Sequence, residues 1–162
     1  MAHTRRTIRA NKKVNKSQRL SEVKELMSSV APKGEYTEAI GRRKTAVARV
    51  RVYSSKKNEV LVNGRPSEDY FGTDELRSKA MQALLIDEQK NTYTVSAYVK
   101  GSGPNAQAES IRLGVARALV EIDEELRSPL KAKGFLKRDP RSVERKKFGL
   151  LKARKKPAWV KR

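Results

Sequence analysis

The chain reads as an α+β domain of two layers, one sheet covered by two helices, set between two cationic extensions. Three observations predict it. The periodic patterns run strands, helix, strand, longer helix, an order that gathers the helices on one face of a sheet. The charge is partitioned, with +7 on residues 1–34, +1 on residues 35–130 and +12 on residues 131–162, out of a net +20. The apolar residues concentrate in the nearly neutral middle, which is long enough for a modest core, while the two ends are poor in them. The expected organisation is therefore a basic N-terminal extension over 1–34, a globular core over 35–130 and an extended basic tail over 131–162.

Residues 1–16 read as an unstructured basic arm. From Ser17, a possible cap, Leu20, Val23, Met27 and Val30 recur at helical spacing until Pro32 and Gly34, which predicts a short amphipathic helix. Such a helix is marginal alone in water and is expected to dock on something. Tyr36 to Ile40 reads as a first short strand. In the next stretch, Gly41 to Tyr53, alternation puts Ala46, Ala48, Val50 and Val52 on one face and Arg43, Arg49 and Arg51 on the other. A strand with an apolar side and an arginine side would seat on a core and grip phosphate, or simply present a solvated face. Glu59 to Val62 is a further strand, and Asn63-Gly64 a tight turn.

Asp74 to Ile86 reads as a helix, with Thr73 as cap and Leu76, Ala80, Ala83 and Leu84 turned inward. Tyr93 to Val99 alternates as a strand and runs into Gly101-Ser102-Gly103-Pro104. The longest helix begins near Asn105, carries the stripe Ile111, Val115, Ala118, Leu119, Ile122 and Leu126, and is expected to stop at Pro129.

Composition removes several classes of function. With no cysteine there is no disulfide, thiolate zinc site or cysteine nucleophile, which fits a reducing compartment. His3 is the only histidine and has no partner for a metal site. No apolar run approaches the roughly 20 residues of a membrane span, so no membrane partner is expected. The segment up to Arg19 has almost no apolar face and is not expected to act as an organellar leader. Asp123, Glu124 and Glu125 are consecutive, so they fan around a helix end instead of converging as an acid/base or metal pair. No nucleophile stands with a base to activate it, so no enzyme and no cofactor are expected. The Gly101 loop before a helix has the look of a phosphate cradle. It lacks the Gly-Lys-Ser/Thr ending of a P-loop, however, and has Ala106 where a dinucleotide fingerprint has its third glycine, so a tight turn explains it as well.

The tail holds fourteen Lys and Arg against Asp139 and Glu144. Its apolar residues are too few and scattered to offset chain entropy and self-repulsion, so it is either a solvated tail or one that lies on a polyanion. Phe135, Leu136, Val143, Phe148, Leu150 and Leu151 interleave with the cations, as expected of a chain pinned to protein or RNA while Lys and Arg neutralise phosphate. Trp159 would stack on a base or pack on a protein.

Several ordered motifs resemble the small-subunit ribosomal protein S nine family over about residues 36–162. They are Gly41-Arg42-Arg43-Lys44-Thr45-Ala46, Val62-Asn63-Gly64, Gly101-Ser102-Gly103 with Gln107-Ala108, and Ile111-Arg112 with Gly114 to Leu119. Most specific are Asp139 with Val143-Glu144-Arg145-Lys146-Lys147, and Lys152-Ala153-Arg154-Lys155. The resemblance implies a fold like the second domain of ribosomal protein S five, with a long basic C-terminal tail. It implies a cytoplasmic ribosomal location, or an organellar ribosome, and a seat on ribosomal RNA in the small-subunit head beside other head proteins. The implied ribosomal RNA contacts are Arg42, Arg43, Lys44, Arg49 and Arg51 in the core, then Arg138, Arg141, Arg145, Lys146, Lys147, Lys152, Arg154, Lys155 and Lys156 in the tail. Lys161 and Arg162 are implied to touch transfer RNA in the peptidyl site. The chain departs from the family pattern at Ser102, where a third glycine is usual, and at Ala158, Trp159 and Val160 near the end. Residues 1–34 have no counterpart in the usual family core. A free nucleic-acid chaperone would share the arms, and a small phosphotransferase would share the fold but need a base and a loop lysine that are missing.

Overall fold

The computed structural model describes residues 34–86 and 91–160. The helix expected between Ser17 and Val30 lies outside them, as do Lys161 and Arg162. Five strands form one sheet: β1 (Thr37–Arg43), β2 (Ala46–Ser54), β3 (Glu59–Val62), β4 (Arg65–Pro66) and β5 (Tyr93–Lys100), in the order β1-β2-β5-β3-β4. Neighbours are antiparallel except β3 and β5, which run parallel because the intervening chain crosses over. That crossover holds α1 (Ser67–Tyr70), α2 (Asp74–Met81) and a 3-10 turn at Leu84–Ile86. After β5 come α3 (Pro104–Ile122), a 3-10 turn at Glu124–Leu126 and α4 (Arg127–Ala132).

Alternation works as expected in β2, where Ala46, Ala48, Val50 and Val52 are buried. They share one core with Val60, Val62, Val95, Ala97 and Val99 of the sheet, and with Ile111, Val115 and Leu119 of α3. The long helix can lie close to the sheet because two glycines meet there. A Cβ on Gly41 would fall 1.8 Å from the Ser110 carbonyl oxygen, and one on Gly114 would fall 2.6 Å from Val50 Cγ2. The backbones of β1 and α3 are thus in direct contact, which no other residue type allows.

The Asn63-Gly64 turn forms as predicted, with φ of 50° and 80° at its two central residues, the signature of a type I′ hairpin turn. Asn63 does more than turn. Its amide oxygen accepts from the Val99 backbone N–H at 2.8 Å and its amide nitrogen donates to the Val99 carbonyl at 3.1 Å, so the turn is sewn to β5.

Four local expectations are corrected. The first strand runs on to Arg43, and the chain reverses at Lys44-Thr45, with Lys44 at φ 49°. The helix expected over 74–86 ends at Met81 and gives way to the 3-10 turn, while Thr73 starts it without a side-chain cap bond. The long helix ends at Ile122 because Asp123 turns extended and accepts from the Glu125 N–H at 2.9 Å, capping the next turn instead. Pro129 does not stop that helix. It sits in the first turn of α4, where a missing N–H costs no hydrogen bond.

Candidate nucleic-acid interface

The two-residue reversal at Lys44-Thr45 decides where the cations of the first hairpin point. In an uninterrupted strand Arg43, Arg49 and Arg51 would share a face. The register instead pairs Arg43 with Ala46, which is buried in the core, so Arg43 projects on the helix side and Arg49 and Arg51 on the opposite one. On that opposite face Arg42 sits across from Val47, Arg49 lies between Ile40 and Tyr98, and Arg51 lies between Glu38 and Ser96. Lys100, opposite Val47 on β5, belongs to the same face and escaped the sequence reading. Its signal was there, in the strict alternation Thr94, Ser96, Tyr98, Lys100.

Charge on this face is only partly free. Glu38 bonds Arg51 at 2.9 Å and Arg49 at 3.3 Å. The Arg51 guanidinium also lies 4.8 Å from the centre of the Tyr36 ring, and the Glu38 hydrogen bond holds its pKa above the ordinary arginine value. Arg42, Arg49 and Lys44 are exposed.

The chain after α4 first follows the core. Phe135 and Leu136 pack against it, the Phe135 N–H bonds the Leu130 carbonyl at 3.0 Å, and the Arg112 guanidinium lies 4.8 Å over the Phe135 ring. Asp139 is gripped by Arg141, whose backbone N–H reaches it at 2.9 Å and whose Nη2 reaches it at 2.8 Å. Those bonds hold the Asp139 carboxyl well below the usual carboxylate range. Arg43 reaches the same carboxylate at 2.8 Å.

Past Arg141 the side chains stand in solvent, apart from the half-buried Leu150 and Ala153. Arg138, Arg145, Lys146, Lys147, Lys152, Lys155 and Lys156 are all exposed and form no ion pair among the described residues. Arg154 is also exposed, but it pairs with Glu144, an interaction that lowers the glutamate pKa and raises that of the arginine. The pair closes the segment 144–154 into a loop, and the Leu151 N–H ties its end to the Lys155 carbonyl just beyond it, at 2.8 Å. At its turn Phe148 is 98% exposed, between Arg145-Lys146-Lys147 and Lys152. Val143, Trp159 and Val160 are nearly as bare, at 89%, 84% and 78%. Large apolar side chains beside unpaired cations suit a surface that offers both phosphate and a stackable base.

The Gly101 loop has a packing explanation. A Cβ on Gly101 would fall 2.5 Å from the Thr45 carbonyl oxygen, and Gln107 Nε2 donates to the Gly101 carbonyl at 3.1 Å, so the loop braces the β1–β2 turn. Among the described residues no three His, Cys, Asp or Glu side chains converge as metal ligands. No described helix is long and apolar enough to cross a membrane.

A family profile described as Ribosomal protein S9/S16 matches residues 41–162. The small ribosomal subunit protein uS9 of Synechococcus sp. (strain JA-2-3B'a(2-13)) is 49% identical over 123 residues, covering 75% of this chain and 90% of that protein. The uS9 protein of Christiangramia forsetii is 48% identical over 128 residues, covering 79% of this chain and 99% of its own length.

Proposed function

The chain belongs to the ribosomal protein S9/S16 family, and from that premise we propose that it lies on ribosomal RNA in the head of the small subunit with its C-terminal end directed at peptidyl-site transfer RNA. It is a structural constituent of the small ribosomal subunit and not an enzyme. In this reading the core takes the fold of the second domain of ribosomal protein S five and sits beside other head proteins, on cytoplasmic or else organellar ribosomes. The core then serves as a mount. Arg42, Lys44, Arg49 and Arg51 meet phosphate from the first hairpin, and Arg138, Arg141, Arg145, Lys146, Lys147, Lys152, Arg154, Lys155 and Lys156 do so from the tail. Lys161 and Arg162 touch the transfer RNA backbone.

One observation carries the proposal. Between Arg145 and Lys156 the chain exposes six cations that no described acid neutralises, and between them it exposes Phe148, which no core residue covers. In isolation this arrangement has unfavourable self-repulsion and apolar exposure, and phosphate with stacked bases relieves both. Arginine suits the phosphate contacts because its planar fork binds two oxygens at once and stays charged.

Co-sedimentation with small subunits across a salt series tests it. Nonspecific phosphate binding falls steeply as salt rises, so stoichiometric retention at high salt is the expected result. Loss of the protein from the particle, or its migration with bulk nucleic acid, would favour the free chaperone. Deleting Lys161 and Arg162 is expected to weaken transfer RNA binding in the peptidyl site and leave subunit assembly intact. Equal transfer RNA affinity of intact and truncated subunits would remove the role given to those two residues.

A further inference from the structure

Arg43 differs from every other cation of the first hairpin in where its charge goes. Its Nε bonds Glu109 of α3 at 2.5 Å, its Nη2 bonds the Asp139 carboxylate at 2.8 Å, and its Nη1 donates to the Arg141 carbonyl at 2.6 Å. All three guanidinium nitrogens are thereby occupied, and the side chain is only 11% exposed, against 56% for Arg49. We propose that Arg43 is a positioning residue and not a phosphate ligand: it latches the root of the C-terminal tail to β1 and α3, and so sets the direction in which the cationic stretch beyond Arg141 leaves the core.

The partners of Arg43 come from two separate segments, α3 and residues 139–141, and β1 supplies the arginine, so one side chain ties three parts of the chain. A phosphate could take Arg43 only by displacing Glu109 and Asp139, which would strip Glu109 of its cation and leave Asp139 held by Arg141 alone. The planar fork matters more than the charge, because a lysine ammonium has no fixed geometry with which to hold three separated acceptors. Four residues before Asp139, Arg112 lies over the Phe135 ring, so the tail root is held at two points. A root fixed in place leaves fewer conformations to lose when the rest of the tail binds.

The test uses the full chain with Arg43→Lys, Arg43→Gln and Asp139→Asn, read by two measurements. The first is tryptic cleavage after Lys137 and Arg138; each variant is expected to raise its rate about tenfold by local opening. The second is affinity for small-subunit ribosomal RNA, and this arm alone rests on the RNA-binding reading. The expected result is a loss of about tenfold with an unchanged salt slope, Arg43→Lys being as damaging as Arg43→Gln. Two results overturn the proposal. One is a lysine variant that behaves as the parent chain in both measurements. The other is unchanged cleavage with a salt slope reduced by about 0.7 to 0.9, the signature of one lost phosphate contact. Asp139→Asn, placed outside the core, keeps the test decisive if Arg43→Gln unfolds the domain. A parent chain that fails to bind the RNA defeats the RNA-binding reading, and the cleavage rates still decide the latch.

Discussion

Asp139 faces Arg43 from β1, Glu109 from α3 and Arg141 from its own segment, and its bonds to Arg141 dominate the depression of its pKa. A carboxylate whose folded pKa is lowered contributes stability that is present above its unfolded pKa, about 3.9, and is lost only as pH falls through the folded value. The tail root should therefore stay attached at pH 4 and loosen only in stronger acid. Carboxyl carbon shifts of Asp139 across a pH titration check this, and a midpoint near 3.9 would mean that the bonds to Arg141 do not persist in solution. Phe148 makes a second residue-scale case. Because it is almost wholly exposed, Phe148→Ala should leave the melting temperature unchanged. If it stacks on RNA, the same change should weaken binding by about 1–3 kcal/mol, measured by filter binding at fixed salt.

Among the elements, the contact between β1 and α3 is the most exacting. Adding a methyl at Gly114 meets the buried Val50 side chain 2.6 Å away and the Gly41 nitrogen at 3.3 Å, so Gly114→Ala should cost about 1–3 kcal/mol by denaturant unfolding. Adding one at Gly41 meets backbone, and Gly41→Ala should cost about 3 kcal/mol or more, or prevent folding. Equal effects at the two positions would show that β1 can move away from the helix, contrary to the close approach described. The hairpin between β1 and β2 shows how a small element redirects function. Two turn residues set the pairing of Arg43 with Ala46, and that register sends one arginine inward and leaves Arg49 on the open face. Periodicity alone had put them together, because an unbroken alternation carries no mark of a reversal.

At the scale of the molecule, core and tail separate in what they contribute. Among the described residues the buried ones all precede Phe135, so a chain ending at Arg141 should keep the stability of the full protein within about 1 kcal/mol. The same truncation removes nine cations, among them the six described ones without an acidic partner, Arg145, Lys146, Lys147, Lys152, Lys155 and Lys156, and should lower the slope of log affinity against log salt by about 4 or more. A slope that barely changes would assign RNA binding to the hairpin face instead. The expected boundary after residue 130 falls inside α4, and the residues up to Asp139 lean on the core through Phe135, Leu136 and Arg43.

The amino-acid sequence by itself determined four of the five strands, β4 being the exception, together with the two main helices, the Asn63-Gly64 turn and the cationic end, because each is written in neighbouring residues as a period, a turn dipeptide or a run of charge. It also carried the family, through short ordered motifs. Only the tertiary structure decided where the long helix stops, since Asp123 and Pro129 both look like ends until one is seen capping a new turn and the other sitting inside a new helix. It alone separated Arg43 from Arg49, for the partners that occupy Arg43 lie 66 and 96 residues further along the chain. A charge announces itself in sequence, but whether it is free depends on what the fold brings beside it.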